Sequence, residues 1–73
     1  MPTFPAHRTR LGQTIRRFRK EANLTQEKLG ELAELNPKYI GEVERAEKTI
    51  SVDALVRLAR ALKVRAKDLV EHL

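Results

Sequence analysis

Residues 24–45 read LTQEKLGELAELNPKYIGEVER, and two cap signals inside this stretch divide it into two short helices. The Thr25 hydroxyl can accept a bond from an otherwise unpaired first-turn amide, so a helix opens behind it and runs over about 26–33. Leu29, Leu32 and Ala33 form its inward face, and Gly30 leaves room for another backbone. Asn36 followed by Pro37 opens the next helix, because Asn caps well and Pro is pre-organised at the first helical position. That helix runs over about 37–45 and buries Ile40 and Val43. Two or three residues remain between the helices, so the chain must turn sharply there.

Working outward, Leu11, Ile15, Phe18 and Ala22 recur at helical spacing before this pair, with Arg16, Arg17, Arg19 and Lys20 mostly between them. They define a first amphipathic helix over about 9–22, which Asn23 ends. Pro2 and Pro5 make residues 1–8 an extended arm, since proline lacks a donor and biases its predecessor away from helix. After the pair, Ser51 caps a fourth helix over about 52–62, with Ala54, Leu55, Leu58, Ala59 and Leu62 as its apolar stripe. A short fifth helix over about 66–72 carries Leu69 and Val70. The expected fold is all-α: an arm at 1–8 and one five-helix domain at 9–73.

Composition narrows the function. A chain of 73 residues supports one core, and 41% hydrophobic against 34% charged residues is a globular balance. Without cysteine there is no disulfide and no thiolate metal site, and small domains of this kind gain stability by self-association. No apolar run approaches the roughly 20 residues of a membrane span, and Met1–Arg10 lacks the apolar core of a signal peptide, so the chain is read as cytoplasmic. His7 and His72 stand far apart without a nucleophile or carboxylate at recognisable spacing, and the carboxylates fall on exposed helix faces, so neither catalysis nor a metal or cofactor is expected. The net charge of +5 favours a polyanionic partner. That charge is uneven: residues 1–20 carry +6, residues 21–47 carry −4 and residues 48–73 carry +3.

The chain resembles the lambda-repressor-like helix-turn-helix family, also called Cro/CI-type or Xre-type DNA-binding domains. The likeness rests on Leu11-x-x-x-Ile15-Arg16-x-x-Arg19, on Leu24-Thr25-Gln26-Glu27-x-Leu29-Gly30 and on Tyr39-Ile40-x-x-Val43-Glu44-Arg45. Ile50-Ser51-x-x-x-Leu55 and Leu58-Ala59-x-Ala61-Leu62 extend it through the fourth helix. The resemblance implies a regulator of transcription whose third helix enters the major groove of double-stranded DNA. It implies Asn36, Lys38 and Glu42 as base readers, with Gly41 permitting close approach and Pro37 at a position that often reads bases. Lys can donate to guanine, Asn can pair with adenine, and Glu can accept from cytosine. The phosphate contacts it implies are Gln26, Lys38, Tyr39, Lys48 and Thr49, with Arg16 or Arg17 if they face the duplex. It assigns Arg19 and Glu44 to a partly buried ion pair joining the first and third helices.

Departures from the family pattern fall at turns. Glu34, Ala46 and Lys63 stand where glycine is usual or common, and Arg65 replaces the usual hydroxyl cap of the fifth helix. A non-glycine residue in left-handed geometry costs about 1–2 kcal/mol, so the domain is expected to lean on dimerisation. A symmetric dimer would place two recognition helices about 34 Å apart on a palindromic operator. Its expected interface is the fifth helix with the end of the fourth, through Val64, Leu69, Val70 and Leu73, although Leu69 and Val70 could equally complete the monomer core. Among family members, Tyr39-Ile40-Gly41-x-x-Glu44-Arg45 with Ile50-Ser51 resembles the controller proteins of restriction-modification systems. An antitoxin subunit, holding a toxin or other protein partner on the same fold, is the alternative.

Overall fold

Five helices form among residues 5–73, the residues that the computed structural model describes. They are α1 (Ala6–Glu21), α2 (Gln26–Ala33), α3 (Pro37–Glu44), α4 (Val52–Leu62) and α5 (Ala66–Val70). The start signals act as their chemistry requires. The Thr25 hydroxyl accepts from the Lys28 amide at 3.0 Å, Asn36 Oδ1 from the Lys38 amide at 2.8 Å, and Ser51 Oγ from the Ala54 amide at 3.0 Å. An arginine side chain has no acceptor to offer α5. There the Arg65 amide donates to Asp68 Oδ2 at 2.9 Å, the return half of a capping box.

The helix pair α2–α3 is braced on two sides. α1 packs on α3 and α5, α4 packs on α2 and α5, and α2 packs on α3. Ile15, Leu29, Ile40, Leu58 and Leu69, one from each helix, are the largest fully buried side chains and meet in a shared core. Burying each stabilises the fold by about 1.5–3 kcal/mol relative to leaving it exposed.

Several expectations are corrected here. Residues 6–8 are helical: Pro5 stands just outside α1 as its N-cap, with ψ of 139°, where its missing donor breaks no helical bond, and its carbonyl accepts from the Arg8 and Thr9 amides. The rest of the expected arm, residues 1–4, lies outside the described residues. Ala22 is exposed past the end of α1, and Leu32 is 50% exposed, although each continues an apolar stripe. Leu32 stands on the rim of a shallow groove between α2 and α4 that Val56, Arg57 and Arg60 help to line. α5 ends at Val70, leaving residues 71 and 72 in a turn.

The first four helices end alike. Asn23, Glu34, Ala46 and Lys63 take φ of 59°, 57°, 64° and 61°, and the next amide reaches back five residues: Leu24 to Arg19, Leu35 to Gly30, Glu47 to Glu42, Val64 to Ala59. Asn tolerates this backbone; Glu, Ala and Lys pay for it. Lys63 is exposed. Lys63→Gly is therefore expected to stabilise the domain by about 1 kcal/mol, the relieved strain exceeding the entropy that glycine adds to the unfolded chain. An unchanged or lower thermal midpoint would show that the lysine sits there without strain.

Candidate nucleic-acid interface

The surface that α3 presents is decided by what its other face buries. Ile40 and Val43 are 0% and 2% exposed, and Glu44 is turned inward with them. Lys38 is exposed and Glu42 half-buried on the outer side, spaced i, i+4 and therefore neighbours on one face. Asn36 stands exposed at the tip of the helix, with its carbonyl oxygen committed to the cap and its amide NH2 still available. Pro37 is half-buried against α2: its Cγ lies 3.2 Å from where a Cβ on Gly30 would be. Gly41 is buried rather than open, with Arg45 Nη1 3.0 Å and the Gln26 amide group 3.3–3.4 Å from its own absent Cβ.

Beneath this surface lies a charged knot. Arg19 Nε and Nη2 donate to Glu44 Oε2 and Oε1 at 2.6 and 3.0 Å, and Arg19 Nη1 donates to the Leu24 carbonyl at 2.8 Å. The two side chains are 11% and 2% exposed. The bidentate hydrogen bond to Glu44 is the first cause, ahead of the opposing desolvation, of the Arg19 pKa being raised. Gln26 Nε2 donates to Glu44 Oε1 at 3.1 Å, so the side chain expected at a phosphate is tied to the knot from the first turn of α2. α1, α2 and α3 are thereby held at one point.

The remaining expected contacts divide. Tyr39 donates its hydroxyl to the Thr49 carbonyl at 3.2 Å, pinning the loop after α3, where Lys48 and Thr49 are exposed. Arg17 lies 4.9 Å from the centroid of the Phe18 ring and 4.0 Å from Glu21, while Arg16 is exposed. Two side chains that were not singled out as readers also belong here. Arg45, at the end of α3, forms a fork with Glu47: Nε to Oε2 at 3.0 Å and Nη2 to Oε1 at 3.2 Å. This hydrogen bond is the first cause of the Arg45 pKa being raised and of the Glu47 pKa being lowered. A pair spaced i, i+2 does not meet along a helix; it meets here because the left-handed Ala46 bends the chain back.

The knot, the fork and two further pairs engage four of the seven glutamates in the acidic middle of the chain. Glu44 and Glu47 are held by Arg19 and Arg45, Glu21 by Arg17 and Glu31 by Lys28. Of the other three, Glu27, Glu34 and Glu42, only Glu42 stands on α3. Among the described residues there is no cluster of side chains suited to a metal and no helix long and apolar enough to cross a membrane.

Comparison with known proteins places this geometry. A family model described as a helix-turn-helix domain matches residues 10–73. The chain is 38% identical over 60 residues to the control protein C.SmaI of Serratia marcescens, covering 82% of this chain and 71% of that protein. Its fold superposes with a TM-score of 0.87 on the restriction-modification controller protein C.AhdI from Aeromonas hydrophila, at 34% identity, covering 89% of this chain and 98% of that one. The clp gene regulator ClgR from Corynebacterium glutamicum superposes equally well, with a TM-score of 0.87, 30% identity and coverage of 94% and 73%. With five helices, the α2–α3 turn and this match over nearly all of its length, the chain belongs to the helix-turn-helix domain family in its lambda-repressor-like, Xre-type form, a family of DNA-binding regulators of transcription.

Proposed function

We propose that the chain is a cytoplasmic, non-catalytic regulator that binds a palindromic operator as a homodimer, with α3 in the major groove. Asn36, Lys38 and Glu42 face base edges, with Gly41 and Pro37 shaping the helix between them. Gln26, Lys38, Tyr39, Lys48 and Thr49 meet phosphates, joined by Arg16 or Arg17 where α1 faces the duplex. The observation that carries this reading is the division of α3: one side is sunk in the core to 0–2% exposure while Lys38 and Glu42 line the other side. A short helix held so firmly from behind offers a groove a rigid polar face. The controller subtype is the favoured one, because the control protein C.SmaI and the restriction-modification controller protein C.AhdI are matched over 71% and 98% of their own length.

The dimer surface is revised. Leu69 is 1% exposed and belongs to the monomer core, whereas Val70 and Leu73 are 37% and 48% exposed and Val64 is half-buried. Val64, Val70 and Leu73 thus remain as the self-association surface.

Selection from random duplexes tests the proposal. The expected product is a palindrome whose half-sites lie about one helical turn apart, bound with strong salt dependence. Glu42→Gln is expected to change the preferred base at one position of each half-site. No enriched sequence, or binding indifferent to salt, would overturn the reading. A Glu42→Gln protein that tightens binding without changing the preferred sequence would show Glu42 to be a repelling charge and no reader.

A further inference from the structure

The polar face of α3 does not stop at Glu42. Arg45 follows Glu42 by three residues and Lys38 by seven, so helical geometry sets all three on one side. The Arg45 guanidinium lies over Gly41, with Nη1 3.0 Å from the position a Cβ would occupy; the Gln26 amide reaches the same position from α2. Arg45 thus stands beside the side chain already assigned to a phosphate. Its own side chain is 55% exposed. Both Nε and Nη2 are engaged by the Glu47 carboxylate, which is itself 44% exposed, at 3.0 and 3.2 Å.

A guanidinium fork fits a phosphate as well as it fits a carboxylate. An exposed pair is screened by water and opens readily. The grip is also local: it depends on the bend at Ala46 and on no other helix. From these observations we propose that Arg45 is a phosphate-binding residue of the DNA interface and that Glu47 is its resident competitor, exchanged for a phosphate when DNA binds. This rests on α3 facing the duplex. Every duplex must displace the same carboxylate, so Glu47 lowers affinity for operator and unrelated DNA by a common factor and leaves sequence preference alone.

A double-mutant cycle on the intact chain tests this, with wild type, Glu47→Gln, Arg45→Gln and the double variant titrated against a random-sequence duplex and the selected one. Salt is varied from roughly 50 to 200 mM. Glu47→Gln is expected to tighten both complexes several-fold. Arg45→Gln is expected to weaken both and to lower the slope of log K against log salt by about 1. In the double variant the gain from Glu47→Gln disappears, because no guanidinium remains to be released. Equal tightening with and without Arg45 would show Glu47 to be a simple repelling charge and overturn the proposal, as would an unchanged salt slope in Arg45→Gln. Thermal midpoints of the four proteins separate folding from binding, since both side chains are exposed. Salt-independent binding by the wild type would overturn the α3 reading itself, and this proposal with it.

Discussion

Replacing Glu44 by Ala is expected to cost the domain about 3 kcal/mol and to lower its thermal midpoint by roughly 10 °C or more. The Glu44 side chain is 2% exposed and accepts from Arg19 twice and from Gln26 once. Its loss leaves a guanidinium that is 11% exposed without its counter-charge, with only the Leu24 carbonyl still accepting from it. A domain of 73 residues is stable by only about 4–11 kcal/mol, so this change removes a large share. Glu42→Ala, on the outer face, is expected to move stability by no more than about 0.5 kcal/mol. Replacing both partners, Arg19→Met with Glu44→Leu, should recover much of the loss, because no unpaired charge is then buried. Equal midpoint shifts for Glu44→Ala and Glu42→Ala, followed by thermal denaturation, would contradict this account of the knot.

The second large effect is expected at Gly12. A Cβ there would stand 2.5 Å from the Val43 carbonyl oxygen and 2.7 Å from that of Glu44, both backbone atoms of α3 that cannot rotate away. Gly12→Ala gains about 1 kcal/mol of helix propensity in α1 but forces α1 and α3 apart. Overpacking of this kind costs roughly 1–3 kcal/mol, and more where backbone must move. The net expectation is a loss of about 2 kcal/mol, with a midpoint lower by roughly 10 °C. Separation of the two helices also lengthens the Arg19–Glu44 contacts, so the variant should respond less to Glu44→Ala than wild type does. A Gly12→Ala protein as stable as wild type would mean that the helices have slack where the structure shows none.

What could be read beforehand was local or shared by the family. Thr25, Asn36 and Ser51 announce their helices because a cap acts within two or three residues, and all three caps form. The family resemblance singled out Arg19 with Glu44, 25 residues apart, which no periodicity would have joined; the structure has them 2.6 Å apart. It also flagged Glu34, Ala46 and Lys63 as residues at glycine positions, and each has positive φ. Leu32 and Ala22 misled because a stripe of apolar residues reports which side faces inward, not how far the neighbouring helix extends over it. Leu69 was open between core and interface for the same reason: the angle at which α5 meets α1 and α4 decides it. Gly12 gave no signal, since its role depends on which backbone crosses it. The Arg45–Glu47 fork was hidden by spacing, as i, i+2 neighbours touch only once the helix has ended.

With Ile15, Leu29, Ile40, Leu58 and Leu69 converging from five different helices, no segment keeps a private interior. α3 is eight residues long, too short to persist alone in water. Partial opening therefore cannot spare the outer face of α3: a molecule either displays the whole of that face or none of it.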